Sequence, residues 1–177
     1  MKKLLVCAFL AAACSLSAFS PEDSYRDDAT GLFAAEWTVF QFGGGPGMQL
    51  FSGDTAVYGL AFNIVFLEQE SAVVGYATFR NSLMKNYFVQ LGLFHNITEE
   101  NYGLSVSLCN MATSSTLQAG LVNIVSSDSR LKPRGGVQLG VVNVGGDFQI
   151  GLLNYNPAAW FPYCPIINFT APKEEEF

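Results

Sequence analysis

Four stretches in the second half of the chain repeat one pattern: Leu104-Ser-Val-Ser-Leu-Cys-Asn110, Leu117-Gln-Ala-Gly-Leu-Val-Asn123, Val137-Gln-Leu-Gly-Val-Val-Asn143 and Phe148-Gln-Ile-Gly-Leu-Leu-Asn154. Each has apolar side chains at its first, third and fifth positions, Gln, Ser or Gly at the second and fourth, and Asn at the seventh. Alternation of period two marks a β-strand with two unlike faces. Segments 57–66, 72–81 and 87–96 alternate in the same way, and polar turns such as Thr98-Glu-Glu-Asn101, Ser126-Ser-Asp-Ser-Arg130 and Gly145-Gly-Asp147 separate the units. Segment 165–169 could add a last strand. The pattern predicts an all-β domain.

The closing Asn residues fall at 96, 110, 123, 143 and 154, so the units are spaced by 14, 13, 20 and 11 residues. A stacked solenoid calls for a nearly fixed rung, and parallel strands of an open sheet need crossovers of a dozen or more residues. The spacing therefore predicts an antiparallel up-and-down meander of about 8–10 strands. Closure into a small barrel would remove its edges.

The two faces differ in a way that solvent alone does not explain. Gly59, Ala61, Gly75, Ala77, Gln90, Gly92, Ser105, Ser107, Gln118, Gly120, Gln138, Gly140, Gln149 and Gly151 share the small face, and none is charged. An antiparallel sheet with one face in water normally carries charge there. Two barrels fit. In one, the large apolar face meets lipid and the small face lines a polar lumen. In the other, the large face is a soluble core. Gln90, Gln118, Gln138 and Gln149 are then the candidate lumen- or ligand-lining residues. The repeated Asn residues read first as strand ends, where Asn tolerates positive φ and bonds its own turn. A ligand-binding ladder of Asn and Gln is the sharper alternative.

Composition supports an apolar environment. Charged residues make up 14% of the 177 and apolar ones 50%, against roughly 25% charged in ordinary soluble domains. A net charge of −6, with nine Lys and Arg scattered along the chain, excludes a nucleic-acid partner. Residues 1–18 read as an export signal: Lys2 and Lys3, an apolar run over 4–13, then small residues at Ser15, Ser17 and Ala18. Leu10-Ala-Ala-Ala-Cys14 also has the outline of a lipoprotein box, which makes Cys14 a candidate for lipidation, although Ala11 stands where Leu is usual. Residues 19–31 form a patternless lead-in, 32–170 the β-repeat domain and 171–177 a charged C-terminal tail.

Nothing in the chain calls for catalysis. His95 is the single His and has no Ser/Asp or Cys/His set around it for nucleophilic or zinc chemistry. Gly43-Gly-Gly-Pro-Gly47 lacks the Lys-Ser/Thr and helix of a phosphate loop and reads as a turn, so no cofactor or metal is expected. Glu36 and Arg80 read first as two residues near strand ends in water, with a pair inside a lumen as the sharper alternative. Cys109 and Cys164 could form a disulfide in an oxidising compartment or serve as two buried thiols.

The segment Met48-Gln-Leu-Phe-Ser-Gly-Asp-Thr-Ala-Val-Tyr-Gly-Leu-Ala-Phe-Asn63, the last three repeats and the ending Phe161-Pro-Tyr-Cys-Pro-Ile-Ile-Asn-Phe169 resemble the bacterial surface-repeat proteins. That family carries tandem Gly-Leu-Gln-x-Gly-Leu-x-Asn units and a closing Pro-x-x-Asn-Phe, here Pro165 to Phe169. The likeness covers about residues 32–169. It implies export, a β-rich fold and an outer-membrane or cell-surface location, with no activity and no catalytic residues to carry over. The sequence thus leads to an exported envelope β-repeat protein with a structural or interaction role, a small outer-membrane barrel in form, whose partners are membrane or envelope components. The alternative is a soluble periplasmic or lipid-anchored β module that binds a small apolar ligand.

Overall fold

A computed structural model describes residues 31–33, 35–44, 48–126 and 136–170; Cys14, the export signal, most of the lead-in and the charged tail lie outside the described residues. The described chain forms a single 13-stranded sheet. Its strands are β1 (Gly31–Phe33), β2 (Trp37–Gly43), β3 (Gln49–Phe51), β4 (Ala56–Asn63), β5 (Phe66–Ala77), β6 (Arg80–Gly92), β7 (His95–Val106), β8 (Cys109–Ala119), β9 (Val122–Val125), β10 (Val137–Leu139), β11 (Val142–Val144), β12 (Phe148–Tyr155) and β13 (Tyr163–Phe169).

The expected antiparallel meander and closed barrel are both overturned. The strands are mostly parallel and stack as a β-solenoid of about 8 turns. Ala56 lies beside Ser71, Ser71 beside Lys85, Lys85 beside Glu100 and Glu100 beside Ser114, so the chain returns to the same place once per turn. Each turn has two main sides. Copies of the first begin at Phe66, Arg80, His95, Cys109, Val122, Val142 and Leu153. Copies of the second begin at Leu60, Val74, Val89, Leu104, Leu117, Val137 and Phe148.

Two physical reasons explain the miss. The long-crossover rule applies to neighbours in an open sheet, whereas in a solenoid the opposite side of the turn is itself the connection. A rung also needs constant length only at its ladder positions. One corner has three residues between ladder partners before His95 (Gly92-Leu93-Phe94) and is held at two from there on (Ser107-Leu108, Gly120-Leu121, Gly140-Val141), and most of the variation collects at the other. That second corner runs from Glu99 to Gly103 in one turn, within the continuous strand β7, where a turn was expected over 98–101. In the last turn it shrinks to Gly145-Gly-Asp147, which requires Gly145 at φ 80°, a value that strains a side chain. The 20-residue interval from Asn123 to Asn143 contains residues 127–135, outside the described part.

Each seven-residue repeat is therefore one copy of the second side, the short corner and the start of the first side, rather than one strand. Its sidedness survives the change of topology: large apolar residues point out, and Gln, Ser and Asn point in. The ends of the coil break the parallel rule. At one end β3 runs antiparallel to β2 and pairs with β1; at the other β13, the strand expected at the C-terminus, runs antiparallel to β12.

Candidate functional site

The interior is amide-rich. Among the described residues, buried polar side chains outnumber buried apolar ones, and Asn63, Asn81, Asn96, Asn110, Asn123 and Asn143 are each 0% exposed. Asn63 ends β4, while Asn81, Asn96, Asn110, Asn123 and Asn143 each sit one residue into the first side, and none has positive φ; among the described non-glycine residues only Ile166 has that conformation. From Asn96 onward they form one ladder. Asn96 Nδ2 donates to Asn110 Oδ1 (3.2 Å), Asn110 to Asn123 (2.9 Å), Asn123 to Asn143 (2.8 Å) and Asn143 to Asn154 (2.8 Å). Each amide's second proton goes to a main-chain carbonyl, such as Asn123 Nδ2 to Leu139 O and Asn143 Nδ2 to Ile150 O, both at 2.9 Å. Such bonds add about 1 kcal/mol each and polarise one another in a low dielectric.

The four expected lining residues belong to the same interior. Gln138 Nε2 donates to Gln118 Oε1 and Gln149 Nε2 to Gln138 Oε1, both at 2.9 Å. Gln90 donates to Asn81 O (2.8 Å) and accepts from the Thr98 hydroxyl. Their amides hold turn to turn. The corner glycines make room for the ladders: a Cβ on Gly151 would lie 2.2 Å from Gly140 O and 2.5 Å from Asn143 Nδ2. Sequence reasoning found these residues but not their role. The signal was the fixed step of five from Gln118 to Asn123, Gln138 to Asn143 and Gln149 to Asn154, which carries one inward position across a two-residue corner to the next.

The exterior is apolar and ribbed. Phe42, Phe62 and Tyr76 stack in successive turns with ring centroids 5.8 and 4.9 Å apart, and Phe79 stacks on Phe94 at 5.1 Å. Leu93, Leu108, Leu121 and Leu152 form an exposed file along the short corner. Leu139 and Ile150 are exposed on the second side and Leu153 on the first. On the first side Cys109, Met111 and Ile124 pack together under Val122 and Val144.

Charge is distributed unevenly. Glu36, Asp54, Glu68, Glu70, Arg80, Lys85, Glu99 and Glu100 fall in the earlier turns. Among the described residues from Gly103 to Thr170 the one charged side chain is Asp147, whose carboxylate accepts from Gly136 N–H (3.2 Å) and the Thr170 hydroxyl (3.4 Å). Glu36 lies with Asp54 and Glu70 around a shallow open depression, whereas Arg80 lies beside His95 in the next turn.

Partial burial, with the Arg80 guanidinium adding to it, holds His95 below its ordinary value. Burial pushes the Cys109 thiol up to about 11, so it stays protonated at neutral pH. Cys109 and Cys164 are both free. No group of three or more His, Cys, Asp or Glu set to hold a metal occurs among the described residues. Comparison of the chain with protein families, curated proteins and solved structures returned no match.

Proposed function

We propose that the chain is an exported cell-envelope protein with a structural or interaction role, an inside-out β-solenoid whose apolar exterior associates with the lipid or other apolar components of the envelope. The observation that carries this reading is the partition seen most fully in the turns from Asn96 onward: bonded amides inside and large apolar side chains outside. In water, exchanging these two sets would gain about 25 cal/mol for each Å² of apolar surface buried. Next to hydrocarbon the preference reverses, because every polar group must then find its partner within the protein. The amide ladders give every ladder NH₂ group from Asn96 to Asn154 such partners, while oxygens such as those of Asn81 and Asn96 stay unpaired. The resemblance to bacterial surface-repeat proteins and the leader over residues 1–18 support export. The role is not catalytic on this reading, since the buried thiol is a poor nucleophile and His95 has no partner set for acid–base work.

The test is fractionation and flotation. Purified mature protein mixed with phosphatidylcholine vesicles should float with them in a density gradient, and the native protein should stay with the envelope when cells are broken without detergent. Recovery of monomer in the soluble fraction, with none in the floated band, contradicts the reading.

A further inference from the structure

We infer that the coil lies on its side against one leaflet of a bilayer, with the second side and the short corner in the acyl chains and the variable corner in water. This rests on the lipid association proposed above and adds which face of the molecule meets lipid. Three observations carry it. Along the sequence from Gly31 to Thr170, no Asp, Glu, Lys or Arg falls in the short corner or in a copy of the second side counted from Leu60 and its partners in register. Charge gathers at the variable corner instead, from Glu36, Asp54 and Glu70 in the first turns to Asp147 in the last. Asp128, Arg130, Lys132 and Arg134 fall in sequence between Val125, where a first side ends, and Val137, where the next second side starts. The first side carries Glu68 and Arg80 and stays out of the face.

Apolar side chains fill this face in early and late turns alike. Ile64, Thr78, Leu93, Leu108, Leu121 and Val141 follow one another along the short corner, each bonded to the one before by a main-chain hydrogen bond, and Ile64, Leu93, Leu108 and Leu121 are exposed. On the adjoining second side, Phe42, Phe62, Tyr76 and Leu91 lead in register toward Leu139 and Ile150. The file runs the length of the coil, so the axis lies along the membrane plane. A tyrosine column separates this face from the charges. Lys85 and Glu100 register with Ala56 through Ser71, and two residues after Ala56, Lys85 and Glu100 stand Tyr58, Tyr87 and Tyr102. Tyr87 stacks on Tyr102 at 5.9 Å, and the Tyr102 hydroxyl donates to Glu100 Oε2 (2.6 Å). Charge, then tyrosine, then aliphatic is the order met on passing from water through the headgroups into hydrocarbon. The uncharged surface also turns the corner, so a flat partner or a second copy covers one side of a ridge, whereas acyl chains close around both.

Trp37 and Trp160 are 62% and 83% exposed, so Trp37→Phe with Trp160→Phe clears the fluorescence background of the full mature chain without disturbing the core. Into that background go Leu93→Trp, Leu121→Trp or Glu100→Trp, one at a time. Each protein is bound to phosphatidylcholine vesicles with acyl-chain bromines, and quenching is read. Leu93→Trp and Leu121→Trp, in an early and a late turn, should be quenched alike and at least about threefold more than Glu100→Trp. In parallel, Leu121→Lys should weaken flotation about tenfold, and Ser114→Lys, in the same turn and beside Glu100, less than about twofold. Equal quenching at all three positions, or equal losses for the two Lys variants, overturns the face while leaving lipid association standing. Strong quenching of Leu121→Trp without that of Leu93→Trp overturns it too, because the axis would then cross the membrane plane. Absence of flotation by the unsubstituted protein overturns both readings, and a dimer in that case assigns the face to a second copy.

Discussion

The early and late turns of the coil are filled by different chemistry. In the early turns Val57, Ala61, Leu67, Ala72, Ala77 and Leu83 pack into an apolar cluster. In the later turns the column of Leu67 becomes Asn81, Asn96 and Asn110, and the column of Ala61 becomes Gln90, Ser105 and Gln118. The column of Leu83 stays small or apolar at Thr98, Ala112 and Val125, and the earliest turns hold their own amide cluster, where Gln41, Asn63 and Gln69 donate to Gln49. The two regions meet at one column. Leu67 registers with Asn81, and Asn81 with Asn96, yet Asn81 Nδ2 turns to Leu91 O (3.2 Å) and the ladder proper begins at Asn96. The side-chain oxygens of Asn81 and Asn96 have no hydrogen-bond partner. One backbone thus accepts either filling. What differs is tolerance: an apolar rung loses packing in proportion to what is removed, whereas a ladder rung that loses an amide leaves its neighbours' polar atoms buried and unpaired.

The largest effect should come from Asn143→Leu. It removes the donor to Asn154 Oδ1 and Ile150 O and the acceptor for Asn123, and should cost about 3 kcal/mol in chemical denaturation. A loss below about 1 kcal/mol would break the comparison, because the amides would then be passengers. Gly151→Ala should follow at about 2 kcal/mol, since its methyl would meet both Gly140 O and the Asn143 amide. A smaller, more pointed difference separates two Asn substitutions in the early turns. At 67 a new amide faces the unpartnered Asn81 Oδ1, whereas at 57 the neighbour in register is Ala72. Leu67→Asn should therefore be about 1–2 kcal/mol less costly than Val57→Asn, and equal costs would show that the ladder cannot be extended. The smallest effect lies in the cap: Ile166→Gly, at φ 73°, should gain about 1 kcal/mol by releasing a β-branched residue from a left-handed conformation.

Strand content and sidedness were legible because period-two alternation is a local property, written within each repeat. The Gln and Asn positions were legible as a class apart for the same reason. Topology was not, because the spacings of 14, 13, 20 and 11 mix two corners of opposite character. Counted from Gln118 to Asn123, Gln138 to Asn143 and Gln149 to Asn154 instead, the invariant short corner stands out. The Asn residues were misplaced because their turn chemistry is a strong single-residue signal, while a ladder requires knowing that Asn123 and Asn143 lie in adjacent rungs. The fate of Gln90, Gln118, Gln138 and Gln149 followed the same line: uncharged and polar was readable, bonded to one another was not. Cys109 and Cys164 read from sequence as either a disulfide or two buried thiols; the structure leaves both free, with Cys109 buried and Cys164 partly exposed.

The central claim is that the interior of the late turns is held by bonded amides while apolar side chains face outward. Hydrogen exchange of the Asn and Gln side-chain NH₂ groups, followed by NMR on amide-labelled protein in solution or detergent, tests it directly. The NH₂ protons of Asn110, Asn123, Asn143, Gln138 and Gln149 should exchange at least about a thousandfold more slowly than in the denatured chain, as expected for groups released only by opening of the coil. Exchange at the denatured-chain rate by these five would contradict the account.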